Sequence, residues 1–402
     1  MSNPIAGKRI VLGITGSIAV YKAADLASKL TQAGAEVDCI LTESAAKFVS
    51  PITFQSVTGR RAYVDADLWG NEGHVLHISL GRAAELLLIA PATASTMAKL
   101  AQGIGDNLLT VTMLASNCPM MIAPAMDAGM YLQPATQNNV RILKERGAIF
   151  IGPEPGRLAS GLIGLGRFTE PKDILAQVRC LFSRSGALNG KRVLITAGPT
   201  REAIDPVRYL SNHSSGKQGY AIAQALLDAG AEVTLVSGPT NLEPPIGAEF
   251  VPVTTAAEMH AAVMAALPGK DAFISVAAVA DFRPLLALEN KYKKTGEDTS
   301  LVLTPTEDIL QAVSNWRKGN HANLKLIGFA AETENLIEHA LQKLRKKDLD
   351  LIVANDVGQQ RAVFGGEENQ VTFINRDEQP ESFDWMSKYA VGEKLAEYLL
   401  KE

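Results

Sequence analysis

Cysteine is scarce in this 402-residue chain: Cys39, Cys118 and Cys180 are scattered singly. That excludes a disulfide framework and any paired-cysteine metal or redox motif, and makes a reduced, cytoplasmic setting the expectation. Basic excess is lacking too. The net charge of −4 gives no electrostatic reason to bind nucleic acid or an anionic membrane surface. Long apolar runs are missing: a run such as Leu86 to Ala92 is far too short to span a bilayer. The first residues lack the charged and apolar regions of a signal peptide, so none is expected. Aromatic residues make up only 6% of the chain. What is abundant is small and aliphatic: hydrophobic residues reach 47% and charged residues 20%, enough for a large core and unlike a disordered chain.

The chain repeats one pattern. Gly7-Lys8-Arg9-Ile10-Val11-Leu12 resembles Gly190-Lys191-Arg192-Val193-Leu194-Ile195. Each run leads through a small-residue turn into a helical pattern, then through Ala33-Gly34-Ala35-Glu36-Val37 or Ala229-Gly230-Ala231-Glu232-Val233. Strand, helix, Gly-turn and strand written twice predict two α/β domains with parallel sheets. The polar stretch Phe182–Gly190 is the expected boundary, giving domains 1–186 and 190–402. Expected strands of the first domain are Arg9–Gly13, Glu36–Leu41, Glu85–Ala90, Met120–Ala123 and Ala148–Ile151. Those of the second include Arg192–Thr196, Glu232–Ser237, Ala272–Ser275, Lys325–Ala330 and Leu351–Ala354. A helix is expected over Glu334–Lys347, its basic residues complementing the helix dipole.

Several segments carry chemistry. Gly13-Ile14-Thr15-Gly16-Ser17-Ile18-Ala19 joins a strand to a helix, where free N–H groups suit phosphate. It is not GxGxxG, and it serves equally as a plain turn. Pro91-Ala92-Thr93-Ala94-Ser95-Thr96 places hydroxyls after a buried strand, where α/β sheets hold ligands; Thr93 also suits a helix N-cap. His77 stands in His77-Ile78-Ser79-Leu80, with His74 close by; a lone histidine is more often structural. Pro124-Ala125-Met126-Asp127 frames a polar side chain at a strand end. In the second half, Ser214-Ser215-Gly216-Lys217 precedes a helix and can present hydroxyls, N–H groups and a charge to phosphates without being a Walker A sequence. Lys291, Lys293 and Lys294 form either a solvated loop or a cation supply for a triphosphate.

Taken in order, GSIA, HISL, PATAST, Gly105-Asp106-Asn107-Leu108-Leu109-Thr110, PAMDxxMY and Ala159-Ser160-Gly161 resemble the flavin-dependent cysteine decarboxylases, in particular phosphopantothenoylcysteine decarboxylase. The segment Thr196–Gly219, Ala277–Asp281, Asn290–Lys294, Gly328-Phe329-Ala330-Ala331-Glu332-Thr333 and Ala354-Asn355-Asp356 resemble phosphopantothenate–cysteine ligase. Both together, end to end, resemble the bifunctional coenzyme A biosynthesis family of bacteria. The resemblance implies a flavodoxin-like flavoprotein domain followed by a Rossmann-like ligase domain. It implies FMN, Mg²⁺ whose ligands are not assigned, and CTP, 4′-phosphopantothenate and L-cysteine as substrates. It further implies a homododecamer built from trimers and dimers. Carried over position by position, Gly16, Ser17, Ile18, Ser44, Phe48, Thr93, Ala94, Ser95, Thr96 and Ala125 correspond to flavin contacts, and His77 to the active-site histidine. Asn212 corresponds to the residue acting on an acyl-cytidylate and Lys291 to the lysine that turns it over. Asp281, Phe329, Lys343 and Lys347 correspond to nucleotide contacts.

Three positions depart from the family pattern. Asp127 stands where many members have Asn; ionised, it repels a substrate carboxylate, so it must bind amide N–H groups, be protonated, or act through a cation or water. Ser160 stands where many have a cysteine that donates a proton, and a hydroxyl is a far weaker acid. Thr306-Glu307-Asp308 replaces Asn-Pro-Asp. A nicotinamide dehydrogenase is disfavoured by the absence of GxGxxG. A regulatory, non-enzymatic role stays open for the first half, given Asp127 and Ser160, while Asn212 and Lys291 argue against it for the whole chain.

Overall fold

Parallel strands covered by helices on both faces must be apolar nearly throughout, and Leu86–Ala92 is buried at every position. It is the centre of the first of two compact units, Ser2–Phe182 and Ser183–Glu402. The computed structural model describes residues 3–69, 75–293, 300–320, 322–332, 335–356 and 365–401. His74, Lys294, Thr333 and Glu334, named above, lie outside the described residues.

In the first unit, β1 (Arg9–Ile14), β2 (Glu36–Leu41), β3 (Ala62–Val64), β4 (Leu86–Ala92), β5 (Met120–Pro124) and β6 (Ile149–Phe150) form one sheet. Its order is β3-β2-β1-β4-β5-β6, with all pairings parallel. Without the three-residue edge strand β3, this is the flavodoxin-like order. Successive residues of β1 face opposite cores. Ile10, Leu12 and Ile14 pack with Leu26, Leu30, Ile174 and Val178, while Val11 packs with Met97, Leu109 and Leu143. The first helix, Val20–Gln32, buries Val20, Ala23, Leu26, Ala27 and Leu30, spaced three or four apart on one face. A hairpin, β7 (Glu154–Arg157) and β8 (Ile163–Arg167), follows the sheet. β4 runs two residues past its expected end at Ala90. Pro91 offers its carbonyl to Thr15, and Ala92 rejoins β5 after a register shift.

The second unit contains β9 (Arg192–Ala197), β10 (Arg201–Ala203), β11 (Tyr209–Ser211), β12 (Glu232–Ser237), β13 (Glu249–Pro252), β14 (Ala272–Ser275), β15 (Phe282–Pro284) and β16 (Leu303–Pro305). It continues with β17 (Lys325–Glu332), β18 (Leu351–Asp356), β19 (Glu368–Asn369), β20 (Val371–Asn375), β21 (Pro380–Ser382) and β22 (Met386–Ser387). Its main sheet runs β13-β12-β9-β14-β17-β18-β20-β21; the first six strands are parallel and the last two antiparallel. The first six reproduce the Rossmann order. β10–β11 and β15–β16 are separate antiparallel hairpins that the apolar pattern did not announce.

The repeat is structural as well as sequential: Gly34 and Gly230 end equivalent helices at φ +94° and +95°, a conformation that favours glycine. The expected linker is partly packed. Leu188 is fully buried in the second core, and its N–H bonds Ala229. The helix expected from Glu334 is described over Leu336–Lys346, with Asn335 left-handed at its start.

Candidate active sites

The first site forms where the strand order reverses, between the carboxyl ends of β1 and β4. Thr15 stitches these ends together. Its hydroxyl donates to the Pro91 carbonyl at 2.7 Å and accepts from the Thr93 N–H at 2.9 Å. Thr93 then caps the helix Ala94–Gln102, accepting from the Thr96 N–H. Gly16 lies so close to the end of β2 that an added Cβ would sit 2.4 Å from Ser44 Cβ. The Ala125 N–H bonds the Ala92 carbonyl, bringing in the end of β5. Gly16, Ser17, Ile18, Ser44, Phe48, Thr93, Ala94, Ser95, Thr96 and Ala125 therefore all lie at the carboxyl ends of β1, β2, β4 and β5. Ile18 and Phe48 are 58% and 52% exposed, an apolar rim on a polar cradle. A close-approach glycine, N–H groups at a helix start and apolar flanks fit a phosphate-bearing planar cofactor.

His77 sits in the first turn of the helix Leu76–Ala83, with Nδ1 shielded from solvent and lacking a hydrogen-bond partner. Asp127 and Ser160 meet: the Ser160 hydroxyl donates to Asp127 Oδ2 at 2.7 Å, and the Gly129 N–H donates to Oδ1 at 2.9 Å. The Ser160 bond and then the Gly129 bond hold the Asp127 carboxyl below its ordinary value. Of the options open to Asp127, this disfavours protonation. Asp65 was not anticipated. It accepts from the Glu43 and Leu108 N–H groups and so links the starts of two helices. No periodicity signals such a residue.

The second site is a cleft of about 460 Å³ at the corresponding reversal, between β9 and β14. Asp281, Phe329, Lys343 and Lys347 line it, as do Ser214 to Gly219. Asn212 and Lys291 do not. Asn212 holds the cleft's backbone wall, its amide donating to the Ala278 and Val279 carbonyls at 3.1 Å each. Lys291 lies on the exposed connection between β15 and β16. Each cleft lysine meets a protein acceptor: Lys343 the Phe329 carbonyl, Lys347 Asp308, Lys217 Glu367 and the Gly365 carbonyl, and Lys388 the Gly366 carbonyl. Burial pushes the Asp308 carboxyl up, but bonds from Lys347 and the Gln311 N–H bring it below its ordinary value. Lys388, 5% exposed, has its ammonium pulled down by burial and then by Lys217. Asn369, 2% exposed and also in the lining, has an unpartnered Oδ1. Sequence reasoning missed Lys388 and Asn369, which lie far along the chain from every phosphate-loop signal. Glu307, in the departing segment, pairs with His260 at 2.9 Å.

Residues 1–183 match the Flavoprotein family, and residues 188–402 match DFP, the DNA/pantothenate metabolism flavoprotein C-terminal domain. The chain is 46% identical over 388 residues to the coenzyme A biosynthesis bifunctional protein CoaBC of Bacillus subtilis (strain 168), covering 96% of this chain and 95% of that one. It is 42% identical over 376 residues to the protein of the same name from Escherichia coli (strain K12), covering 93% and 92%. The chain belongs to the bifunctional coenzyme A biosynthesis family. It is a bifunctional enzyme of coenzyme A biosynthesis, and it contains a flavoprotein domain. A solved C-terminal domain of a coenzyme A biosynthesis bifunctional protein CoaBC is 41% identical, covering 54% of this chain and 97% of its own, with a TM-score of 0.46. Among the described residues, no helix is long and apolar enough to cross a membrane, and no cluster of His, Cys, Asp and Glu could hold a metal ion.

Proposed function

We propose that residues 190–402 join 4′-phosphopantothenate to L-cysteine at the expense of CTP, and that residues 1–186 decarboxylate the product with FMN. The observation that carries the ligase half is the cleft at the β9/β14 reversal, where Lys217, Lys343, Lys347 and Lys388 converge beside Ser214-Ser215-Gly216. Such a set suits a triphosphate, whose several negative charges can replace the carbonyl and carboxylate acceptors these lysines meet. The substrate carboxylate attacks the α-phosphorus of CTP, forming an acyl-cytidylate and releasing pyrophosphate. The cysteine amine then attacks the acyl carbon and CMP leaves. Asn212 orients the acyl-cytidylate from the cleft wall, and Lys291 promotes its turnover. Mg²⁺ accompanies the triphosphate and neutralises its charge.

In the first domain the cradle around Gly16 and Thr93 holds FMN. Bound there, FMN would supply reversible two-electron redox chemistry to the cysteinyl carbon–sulfur unit. His77 accepts the thiol proton. Asp127 receives the substrate's amide N–H on its remaining lone pairs. The Ser160 hydroxyl, held by Asp127, relays a proton from water to the reduced product.

Cys39, Cys118 and Cys180, none of them in a disulfide, suit a reducing, cytoplasmic compartment. Exposed apolar residues, Ile18, Tyr21, Phe48 and Ile52 in the first domain and Val207, Tyr209, Phe282 and Leu286 in the second, supply surfaces that threefold and twofold contacts of a dodecamer would cover. Mass spectrometry of the product from purified protein, 4′-phosphopantothenate, cysteine, CTP and Mg²⁺ tests the chemistry. The expected product is 4′-phosphopantetheine. Accumulation of a decarboxylated species two hydrogens lighter would show that Ser160 does not serve the final reduction. Absence of CTP-dependent pyrophosphate release would overturn the ligase half.

A further inference from the structure

Asp205 is the best-connected carboxylate outside the cleft. It occupies the tip of the β10–β11 hairpin, whose last strand ends at Ser211, next to Asn212. The side chain is buried, and five donors converge on it. Oδ1 accepts from the Val207 and Arg208 N–H groups at 2.8 Å each. Oδ2 accepts from Arg208 Nε at 2.9 Å, from Arg208 Nη2, and from the Tyr292 N–H at 3.1 Å. The last contact crosses 87 residues of sequence to reach the connection between β15 and β16. Arg208 Nη2 completes the grip by donating to the Tyr292 carbonyl at 2.8 Å. The Leu288 N–H adds a third tie, to the Ile204 carbonyl at 2.9 Å. Both polar groups of the Tyr292 backbone are thus held by one carboxylate–guanidinium pair, immediately after Lys291.

A hairpin tip needs no such construction for its own stability. Two N–H groups already close the Asp205 turn; the Tyr292 N–H bond, and the Arg208 guanidinium that Asp205 holds against the Tyr292 carbonyl, reach beyond it to the other segment. A long exposed lysine side chain contributes to catalysis only if its backbone is fixed, because its rotamer freedom otherwise spreads the ammonium over many positions. We propose that Asp205, acting through Arg208 and the Tyr292 backbone, is a positioning residue that fixes Lys291 relative to Asn212 during turnover of the acyl-cytidylate. One hairpin then carries Asn212 at its base and holds the Lys291 segment at its tip, so the two residues keep a common frame. The proposal rests on the reading of Lys291 given above.

The test uses the full chain and separates the two half-reactions: pyrophosphate release from CTP and phosphopantothenate, and consumption of the acyl-cytidylate on adding cysteine. Asp205→Asn keeps an acceptor for the turn N–H groups but removes the charge that holds Arg208; Asp205→Ala removes both. Both variants should release pyrophosphate in a first-turnover burst like the parent. They should consume the acyl-cytidylate more slowly, by about 100-fold for Asp205→Ala, as a misplacement of roughly 1 Å predicts. Combining Asp205→Asn with Lys291→Ala should be no slower than Lys291→Ala alone. Equal loss of both half-reactions, or independent and multiplying losses in the double variant, would show a merely structural role and overturn the proposal. So would parental turnover in both Asp205 variants. If Lys291→Ala itself consumes the intermediate at the parental rate, the reading of Lys291 fails first, and that single variant identifies this failure.

Discussion

Asp127 and Ser160 are 33 residues apart in sequence yet share a 2.7 Å hydrogen bond. Read separately, each is a puzzling replacement: a carboxylate where an amide is usual, a hydroxyl where a thiol is usual. Together they form a pair in which the anion orients the hydroxyl and the hydroxyl keeps the anion ionised. The sign of the pH effect follows. The folded Asp127 carboxyl lies below its ordinary 3.8. Its contribution is therefore complete above pH 3.8 and disappears as the pH falls through the lower folded value. Carboxyl NMR of Asp127 should give a midpoint below 3.8, and Ser160→Ala should move that midpoint upward. A midpoint indifferent to Ser160→Ala would mean that the bond is absent in solution.

At the scale of elements, both sites arise where strand order reverses and neighbouring helices diverge. The reversal opens a crevice, but threonine hydroxyls set its width. Thr15 ties β1 to the segment ending β4; Thr196 accepts from the Val276 and Ala277 N–H groups beside β14, and Thr200 accepts from Ala280 N–H. In the first domain the crevice is tight enough that Gly16→Ala would press a methyl group into Ser44. Backbone on one side and a short helix on the other can yield only by opening the cradle. The substitution should lower the flavin content of the purified protein, measured by its visible absorption, and destabilise the first domain by about 1–3 kcal/mol. Retention of full flavin content would place the cofactor elsewhere than against the Gly16 turn.

At the scale of the whole molecule, each of the four apolar clusters among the described residues draws its residues from one unit alone. Two self-contained cores predict two unfolding transitions. Leu188 lies in the stretch expected to be a linker yet is fully buried in the second core. Leu188→Ala should therefore destabilise the second domain by roughly 2–5 kcal/mol while leaving flavin release from the first unchanged. Calorimetry read alongside flavin fluorescence checks this: one transition shifts and the other stays. Movement of both would show that the units do not unfold independently.

Much of this architecture was legible in the residues. The repeated Gly-Lys-Arg strand, the Ala-Gly-Ala-Glu-Val turns and the apolar runs specify local geometry, because burial and left-handed glycine turns act over a few residues. The ordered motifs specified the family for a related reason: several sit at strand ends or helix starts, where a short segment alone presents its hydroxyls and N–H groups. What the residues could not disclose was pairing across the chain. That Ser160 reaches Asp127, that Asp205 reaches Tyr292, and that Lys388 and Asn369 join Lys217 in one cleft depends on hairpins and late strands folding back over the sheet. These contacts have no periodicity and occupy polar loops, so only the tertiary structure decides them. The sequence determined where ligands can lie; the fold decided which side chains meet there.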